Sequence, residues 1–168
     1  ITQHQLQGIE FVTPLVSQIR KGYYMGKNEI KAARSLINII NAARENALKK
    51  VNEELIEMYW KIGEYLHLES QNASFGDGYI DSITQEIQSE FPGIRGFNRR
   101  GLYRMKKFYE TYYKNEFVTP LVSQISWTNH LLIMSSCKSD EEREFYIRLC
   151  IKENYSKRQL QRQLDSGY

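Results

Sequence analysis

The stretch NRRGLYRMKKFYETYY, residues 98–113, has the spacing of a helix with two contrasting faces. At about 100° per residue, four apolar or aromatic residues fall on one side: Leu102, Met105, Tyr109 and Tyr112. Three cations fall on nearly the opposite side: Arg100, Arg104 and Lys107. Asn98 stands where a helix N-cap is expected. The stretch predicts a helix with one face in a core and a purely cationic face opposite.

The chain before this stretch predicts two more helices. Residues 28–71 contain no proline and a single glycine, which is typical of one long helix or of two helices with a subtle break. Their apolar stripe consists of Ala33, Ile37, Ile40, Ala47, Val51, Leu55, Tyr59, Ile62 and Leu66. After a polar loop at residues 70–79, a second stripe consists of Ile80, Ile83, Ile87 and Phe91 and stops at Pro92-Gly93.

The chain after this stretch predicts three further helices. Thr119 as N-cap and Pro120 at the first helical position predict a helix that continues to about Met134. Ser139-Asp140-Glu141-Glu142 is a capping box, which opens a helix whose inward residues should be Phe145, Leu149 and Ile151. Ser156 should cap a final short helix that carries Leu160 and Leu164. The sequence therefore predicts an all-α fold, a multi-helix domain with a helix-turn-helix-like unit and a long N-terminal helix.

The decapeptide EFVTPLVSQI occurs twice, at residues 10–19 and 116–125. A shared fold explains matching apolar residues but not matching Ser, Gln and Glu, because surface positions tolerate most substitutions. We interpret the first copy as a duplicated or artificially placed segment. A minority interpretation is that it competes with the second copy, as in a swapped dimer or an autoinhibitory latch. We expect residues 1–27 to form an N-terminal segment and residues 28–168 to form a helical, DNA-binding-like domain.

The composition favours an ordinary globular domain. The 168 residues are 41% hydrophobic and 26% charged with a net charge of +3, and no apolar run is long enough to cross a bilayer. Two cysteines, Cys137 and Cys150, do not make a secreted disulfide framework, so we expect a cytoplasmic location with both thiols acting as small buried apolar groups. Neither these cysteines nor the three histidines have metal-ligand spacing, and no catalytic motif is present, so we expect no catalytic residue, metal or cofactor.

Basic residues cluster in two places. Six of them, with no acidic residue among them, lie in the first cluster: Arg95, Arg99, Arg100, Arg104, Lys106 and Lys107. The second cluster consists of Lys157, Arg158 and Arg162. Together with Asn98, these residues form the predicted nucleic-acid-binding set, because Arg and Lys neutralise phosphates and Arg can read guanine. The preceding helix and the FPGIRGF turn give a helix-turn-helix outline.

Several motifs in order resemble a known family. They are VNEELIEMYWKIGEYL (51–66), GFNRRGLYRMKKFYE (96–110), LVSQISWTNH (121–130) and EREFYIRLCIKENYSKRQLQRQLDSGY (142–168). The chain resembles, over about residues 28–168, the N-terminal helical domain of YhcG-type proteins, which are bacterial nucleases of the PD-(D/E)XK superfamily. Positions that match the family's basic motif are Asn98, Arg99, Arg100, Leu102, Arg104 and Met105, and those that match a second motif are Trp127, Thr128 and His130, with packing expected for Trp127. The resemblance implies a helical DNA-binding module ahead of a C-terminal nuclease domain, whose cutting residues we expect to lie outside this chain.

Two functions remain open at this point. The first is a DNA-binding or targeting module of a bacterial nuclease, non-catalytic by itself, with duplex DNA favoured as its partner. The second is a protein-interaction or oligomerisation module without nucleic-acid contact, for example a homo-oligomer that pairs through the long first helix. We expect neither a membrane nor a small-molecule ligand as a partner.

Overall fold

Helices make up the regular structure of the described residues, 26–71 and 75–167, in a computed structural model of the chain. Six are α-helices: α1 (Lys27–Glu69), α2 (Asp77–Glu90), α3 (Arg99–Tyr112), α4 (Trp127–Ser136), α5 (Asp140–Glu153) and α6 (Lys157–Ser166). A 3₁₀ helix, Thr119–Gln124, lies between α3 and α4. No strand occurs among these residues, and the all-α prediction is confirmed.

The chain divides into two units, residues 1–44 and 45–168. The described part of the first unit is Gly26 and the beginning of α1, up to Arg44. The second unit contains the rest of α1 and all later helices, and the buried core residues belong to it. The predicted division after residue 27 stays a prediction, because residues 1–25, including the first decapeptide copy, lie outside the described residues.

The long helix α1 is uninterrupted, but its predicted apolar stripe is only partly right. The buried residues of α1 are Ile56, Tyr59, Gly63 and Leu66, whereas the predicted stripe residues Ile37, Ile40 and Val51 are exposed. Length explains the difference. The 43 residues of α1 span about 65 Å, whereas the 14 residues of its neighbour α3 span about 21 Å, so α3 can cover only part of α1.

The helix α3 packs closely on α1 at Gly63. A methyl group at Gly63 would fall on the backbone carbonyl of Met105 and lie 2.9 Å from the Cβ of Tyr109. Trp60 packs edge-on against Phe108, with ring centroids 5.6 Å apart. The fully buried aromatic residues of α3 are Phe108 and Tyr112, while Tyr109, predicted to face the core, is half-buried. Three predicted core residues of α3, Leu102, Met105 and Tyr112, are buried as expected.

The second decapeptide copy begins differently from the prediction. We predicted Thr119 as the cap of one helix to Met134, but Val118 precedes a 3₁₀ helix and Thr119 is its first residue. The Thr119 hydroxyl donates backwards, to the carbonyls of Tyr112 at 3.0 Å and Asn115 at 2.9 Å, so it does not cap. Ile125 is extended and ends the element, which is why a separate helix, α4, starts after it.

Buried polar side chains hold this copy in place. The Asn52 side-chain amide donates to the carbonyls of Ser123 at 3.0 Å and Ile125 at 3.1 Å. The Nε2 of the fully buried His130 lies 2.7 Å from the carbonyl oxygen of Val122, which can only accept, so Nε2 carries the proton. These hydrogen bonds satisfy carbonyl oxygens that, in a regular helix, would be paired with backbone amides of the same helix.

Four predicted caps are tested by the remaining helices. Asn98 accepts a hydrogen bond from the amide of Gly101 at 2.8 Å, and the capping box at Ser139 is present as predicted. Ser156 also caps its helix through a capping box. The predicted cap at Thr119 is the one that fails, because its hydroxyl is used as a donor.

Two predicted core aromatics are wrong. Phe145 is 47% exposed, because α5 buries Tyr146, Ile147 and Cys150 instead. The predicted and the observed buried residues of α5 differ by one position, or about 100° around the helix, and both sets of residues fit a helical period. Phe91 is also exposed. Both cysteines are free and buried, as predicted.

Gly63→Ala should destabilise the protein by about 1–3 kcal/mol, because the added methyl forces α1 and α3 apart. Chemical denaturation followed by circular dichroism measures this change. Gly78→Ala in α2 is the matched control, since nothing lies within 4 Å of its added Cβ. There the variant should gain about 0.5–1 kcal/mol of stability. An equal gain at Gly63 would contradict the close packing of the two helices.

His130 should make stability pH-dependent. Burial lowers the pKa of His130 to about 4, below its ordinary value of 6.5. The unfolded chain therefore binds a proton that the folded chain refuses between pH 6.5 and pH 4. The free energy of unfolding should fall as the pH drops through this window, by up to about 1.4 kcal/mol per pH unit.

Denaturation curves of the wild type and His130→Gln, measured at pH 7 and pH 4.5, isolate this contribution. The glutamine amide can still donate to the Val122 carbonyl but does not titrate, so the variant should lose less stability on acidification. Equal losses in the wild type and His130→Gln would contradict the assignment.

Candidate nucleic-acid interface

A groove with a volume of about 530 Å³ runs between α3, α4 and the start of α6. Nine residues line it: Arg100, Arg104 and Lys107 from α3, Thr128, Leu131, Leu132, Met134 and Ser135 from α4, and Lys157 from α6. All nine belong to the second unit. We call this feature the basic groove.

The cations of the basic groove come from both predicted clusters. Arg100, Arg104 and Lys107 are exposed and lie four and three residues apart on α3, so they share one face. This face is opposite the buried residues Leu102 and Met105, as the sequence predicted. Lys157 is the first residue of α6, directly after the cap that begins this helix. The capping box at residue 156 therefore fixes the position of Lys157 in the lining of the groove.

No carboxylate lines the basic groove among the described residues. Within the part of the chain that the structure describes, none of its four cations makes an ion pair. Other surface cations do: Arg143 binds Asp140 at 2.7 Å and Arg148 binds Glu144 at 2.8 Å. Charges left without a partner in a concave surface raise the local concentration of anions.

The floor of the basic groove is apolar with hydroxyl groups beside it. Leu131 and Leu132 are half-buried, and Met134 is buried. Thr128 and Ser135 add hydroxyls, of which the Ser135 hydroxyl donates to the Leu132 carbonyl at 2.9 Å. Sequence reasoning missed this α4 surface. The only signal was the SWTNH motif, whose Trp127 packs on Tyr59 with ring centroids 4.5 Å apart, as predicted for that residue.

Arg99 lies outside the basic groove. Its guanidinium makes a two-pronged ion pair with the Asp81 carboxylate, with Nε 2.7 Å from Oδ1, and lies 3.5 Å from Asp77. Hydrogen bonding to Arg99 lowers the pKa of Asp81 below its ordinary value. The side chain of Arg99, which is 48% exposed, thus joins α3 to α2 through its ion pairs.

Lys106 is likewise engaged within the protein. Its side chain is only 17% exposed, with Nζ 2.6 Å from the Glu110 carboxylate and 5.9 Å from the centre of the Phe75 ring. An ammonium held by a carboxylate and an aromatic face is a packing element. Arg99 and Lys106 therefore do not line the basic groove, and their role in nucleic-acid binding stays a prediction.

The other predicted residues do not line the basic groove. Asn98 is the cap of α3, and its side-chain oxygen is already used. Arg95 is exposed in the turn before α3, and Arg158 and Arg162 are exposed on α6. Within the described residues these three arginines make no ion pair.

The connection between α2 and α3 is longer than in a compact helix-turn-helix. It covers residues 91–98, between Glu90 and Arg99, whereas the compact motif uses about 3–4 residues. Gly93 and Gly96 adopt φ of +80° and +88° there, which favours glycine. Gly101 lets the turn pack on α3, since an added methyl would collide with the backbone of Gly96. The connection between α2 and α3 is therefore not the short turn of a compact helix-turn-helix, and the orientation of the cationic face of α3 does not depend on such a turn.

Two other kinds of site are absent from residues 26–71 and 75–167. No group of three His, Cys, Asp or Glu side chains there could hold a metal ion. No helix there is long and apolar enough to cross a membrane. The cytoplasmic location stays a prediction.

Comparison with known proteins assigns the chain to a family. The model of the DUF1016 N-terminal domain matches residues 35–168. No curated protein and no solved structure matches the chain. The matched region contains the described core of the second unit and all nine residues of the basic groove. The chain therefore belongs to the DUF1016 N-terminal domain family, which is the N-terminal region of YhcG-type proteins.

Proposed function

We propose that the basic groove binds the phosphate backbone of duplex DNA. The observation that carries this proposal is the set of four cations, Arg100, Arg104, Lys107 and Lys157, that line one groove with neither a carboxylate in the lining nor an ion pair to a described residue. Fixed cations of this kind release the counterions of a polyanion when it binds, and this release drives non-specific DNA binding.

The spacing of the cations favours a polymer over a small anion. Arg100 and Lys107 are seven residues apart on α3, which corresponds to a rise of about 10 Å. One strand of duplex DNA presents a phosphate about every 3.4 Å along its axis, so several phosphates face this length of helix. Hydroxyls such as those of Thr128 and Ser135 commonly donate to phosphate oxygens.

The apolar floor suits the less polar parts of DNA. Leu131 and Leu132 offer surface for sugar carbons or thymine methyl groups, while Arg100 and Arg104 carry the planar guanidinium that pairs with guanine. The groove thus combines phosphate contacts, which position the protein, with two side chains able to read bases.

The module would act for a nuclease rather than as one. The resemblance to YhcG-type proteins implies a PD-(D/E)XK nuclease domain in the parent protein, and the proposed role of this chain is to bring that domain to DNA. A protein-interaction module is the second candidate, and the exposed apolar side chains of α1 favour it.

Removing two groove cations should weaken DNA binding. Arg100→Ala combined with Arg104→Ala should raise the dissociation constant for a short duplex about tenfold or more, because each arginine contributes about 1 kcal/mol or more when it contacts phosphate or base. Fluorescence anisotropy of a labelled duplex at fixed salt measures this change.

The matched control removes two cations elsewhere. Lys49 on α1 and Lys152 on α5 are exposed and lie outside the groove, so Lys49→Ala with Lys152→Ala changes the net charge equally. It should bind DNA about as well as the wild type. Equal binding by both double variants and the wild type would contradict a specific role for the groove.

A further inference from the structure

The helix α1 exposes a row of large apolar side chains. Between residues 36 and 51, six are more than half exposed: Leu36, Ile37, Ile39, Ile40, Leu48 and Val51. Single exposed apolar residues are ordinary, but a contiguous patch of this kind marks an interaction surface. The segment containing them carries a seven-residue repeat, with Ile30, Ile37, Arg44 and Val51 in one position and Ala33, Ile40, Ala47 and Glu54 in the other. Apolar residues with this seven-residue spacing are the pattern that forms the seam of two-helix coiled coils.

Two charged residues interrupt the apolar seam. Arg44 is exposed and makes no ion pair with any described residue, and Glu54 is exposed with an ion pair to Lys50 at 3.2 Å. In a parallel pair of identical helices, each would face its own copy, and like charges would meet. In an antiparallel pair, the residues of the first seam position in one copy face the residues of the second seam position in the other copy. Arg44 can therefore face Glu54 of the second copy.

The same register pairs several apolar residues of the seam with each other, although it sets Ile37 opposite Lys61. With Arg44 opposite Glu54 of a second copy, Ala47 lies opposite Val51 and Ile40 opposite Met58. A small side chain then faces a larger one at the centre, as a close-packed seam requires. Met58 is partly exposed on α1, so it is available for this contact.

The charge distribution along α1 also favours the antiparallel arrangement. Between Lys27 and Arg44 the helix carries four cations and one anion, whereas between Glu45 and Glu57 it carries four anions and two cations. Antiparallel helices place the basic segment of each copy beside the acidic segment of the other. Parallel helices would place like segments together.

We infer that the exposed seam of α1 is a self-association surface, which pairs two copies of this chain antiparallel with Arg44 of each facing Glu54 of the other. This interface does not use the basic groove and stands independently of the proposed DNA binding.

Charge reversal tests both the surface and the direction. Sedimentation equilibrium of the wild type at low salt should give twice the chain mass of 19.9 kDa. Arg44→Glu and Glu54→Arg should each weaken dimerisation about tenfold, because each reversal creates two like-charge contacts in the symmetric pair. The double variant Arg44→Glu/Glu54→Arg restores both attractions and should dimerise within about threefold of the wild type.

The outcomes separate the alternatives. A wild type that stays monomeric at all soluble concentrations would overturn the inference. A dimer unaffected by either single reversal would also overturn it, because a parallel pair or another surface would give that result. Single reversals that weaken the dimer without recovery in the double variant would overturn it as well. Both residues are exposed, and circular dichroism should show unchanged helix content in every variant. Lys49→Glu, a charge reversal on α1 off the seam, is the control and should leave the dimer intact.

Discussion

The close contact of α1 and α3 at Gly63 fixes how α3 is rotated, and the basic groove depends on that rotation. The missing side chain lets the backbone at Met105 approach α1, and Phe108 fills the space beside it. Turning α3 by one residue, or about 100°, would move Arg104 toward the core, where an unpaired charge costs several kcal/mol. The apolar face and the cationic face of α3 are therefore two consequences of one packing arrangement.

The other wall of the groove depends on the second decapeptide copy. This segment ends in the extended residue Ile125, so that α4 begins afresh and turns the surface of Leu131 and Leu132 toward α3. Asn52 and His130 hold the segment by bonds to its carbonyls. A solvent-facing groove is thus supported by polar groups buried behind it, which explains why the nearby SWTNH stretch contributes to packing.

Much of the fold could be predicted from local patterns, and the errors have physical causes. Asn98, Ser139 and Ser156 act as caps because capping depends only on neighbouring residues. Phe145 was misplaced because adjacent positions of a helix can both fit a helical period, so tertiary packing chooses between them. Arg99 could not be separated from its neighbour Arg100 by sequence, since its partner Asp81 lies on another helix. The α4 floor of the groove was also invisible, because it follows from packing between distant segments.

The salt dependence of DNA binding tests the central claim most directly. If the four groove cations each neutralise one phosphate of a duplex, the logarithm of the binding constant should fall with the logarithm of the salt concentration with a slope of about −3.5. A titration at several salt concentrations, with one duplex and the unmodified chain, gives this slope. A slope near zero, or no binding at low salt, would contradict a phosphate-binding groove.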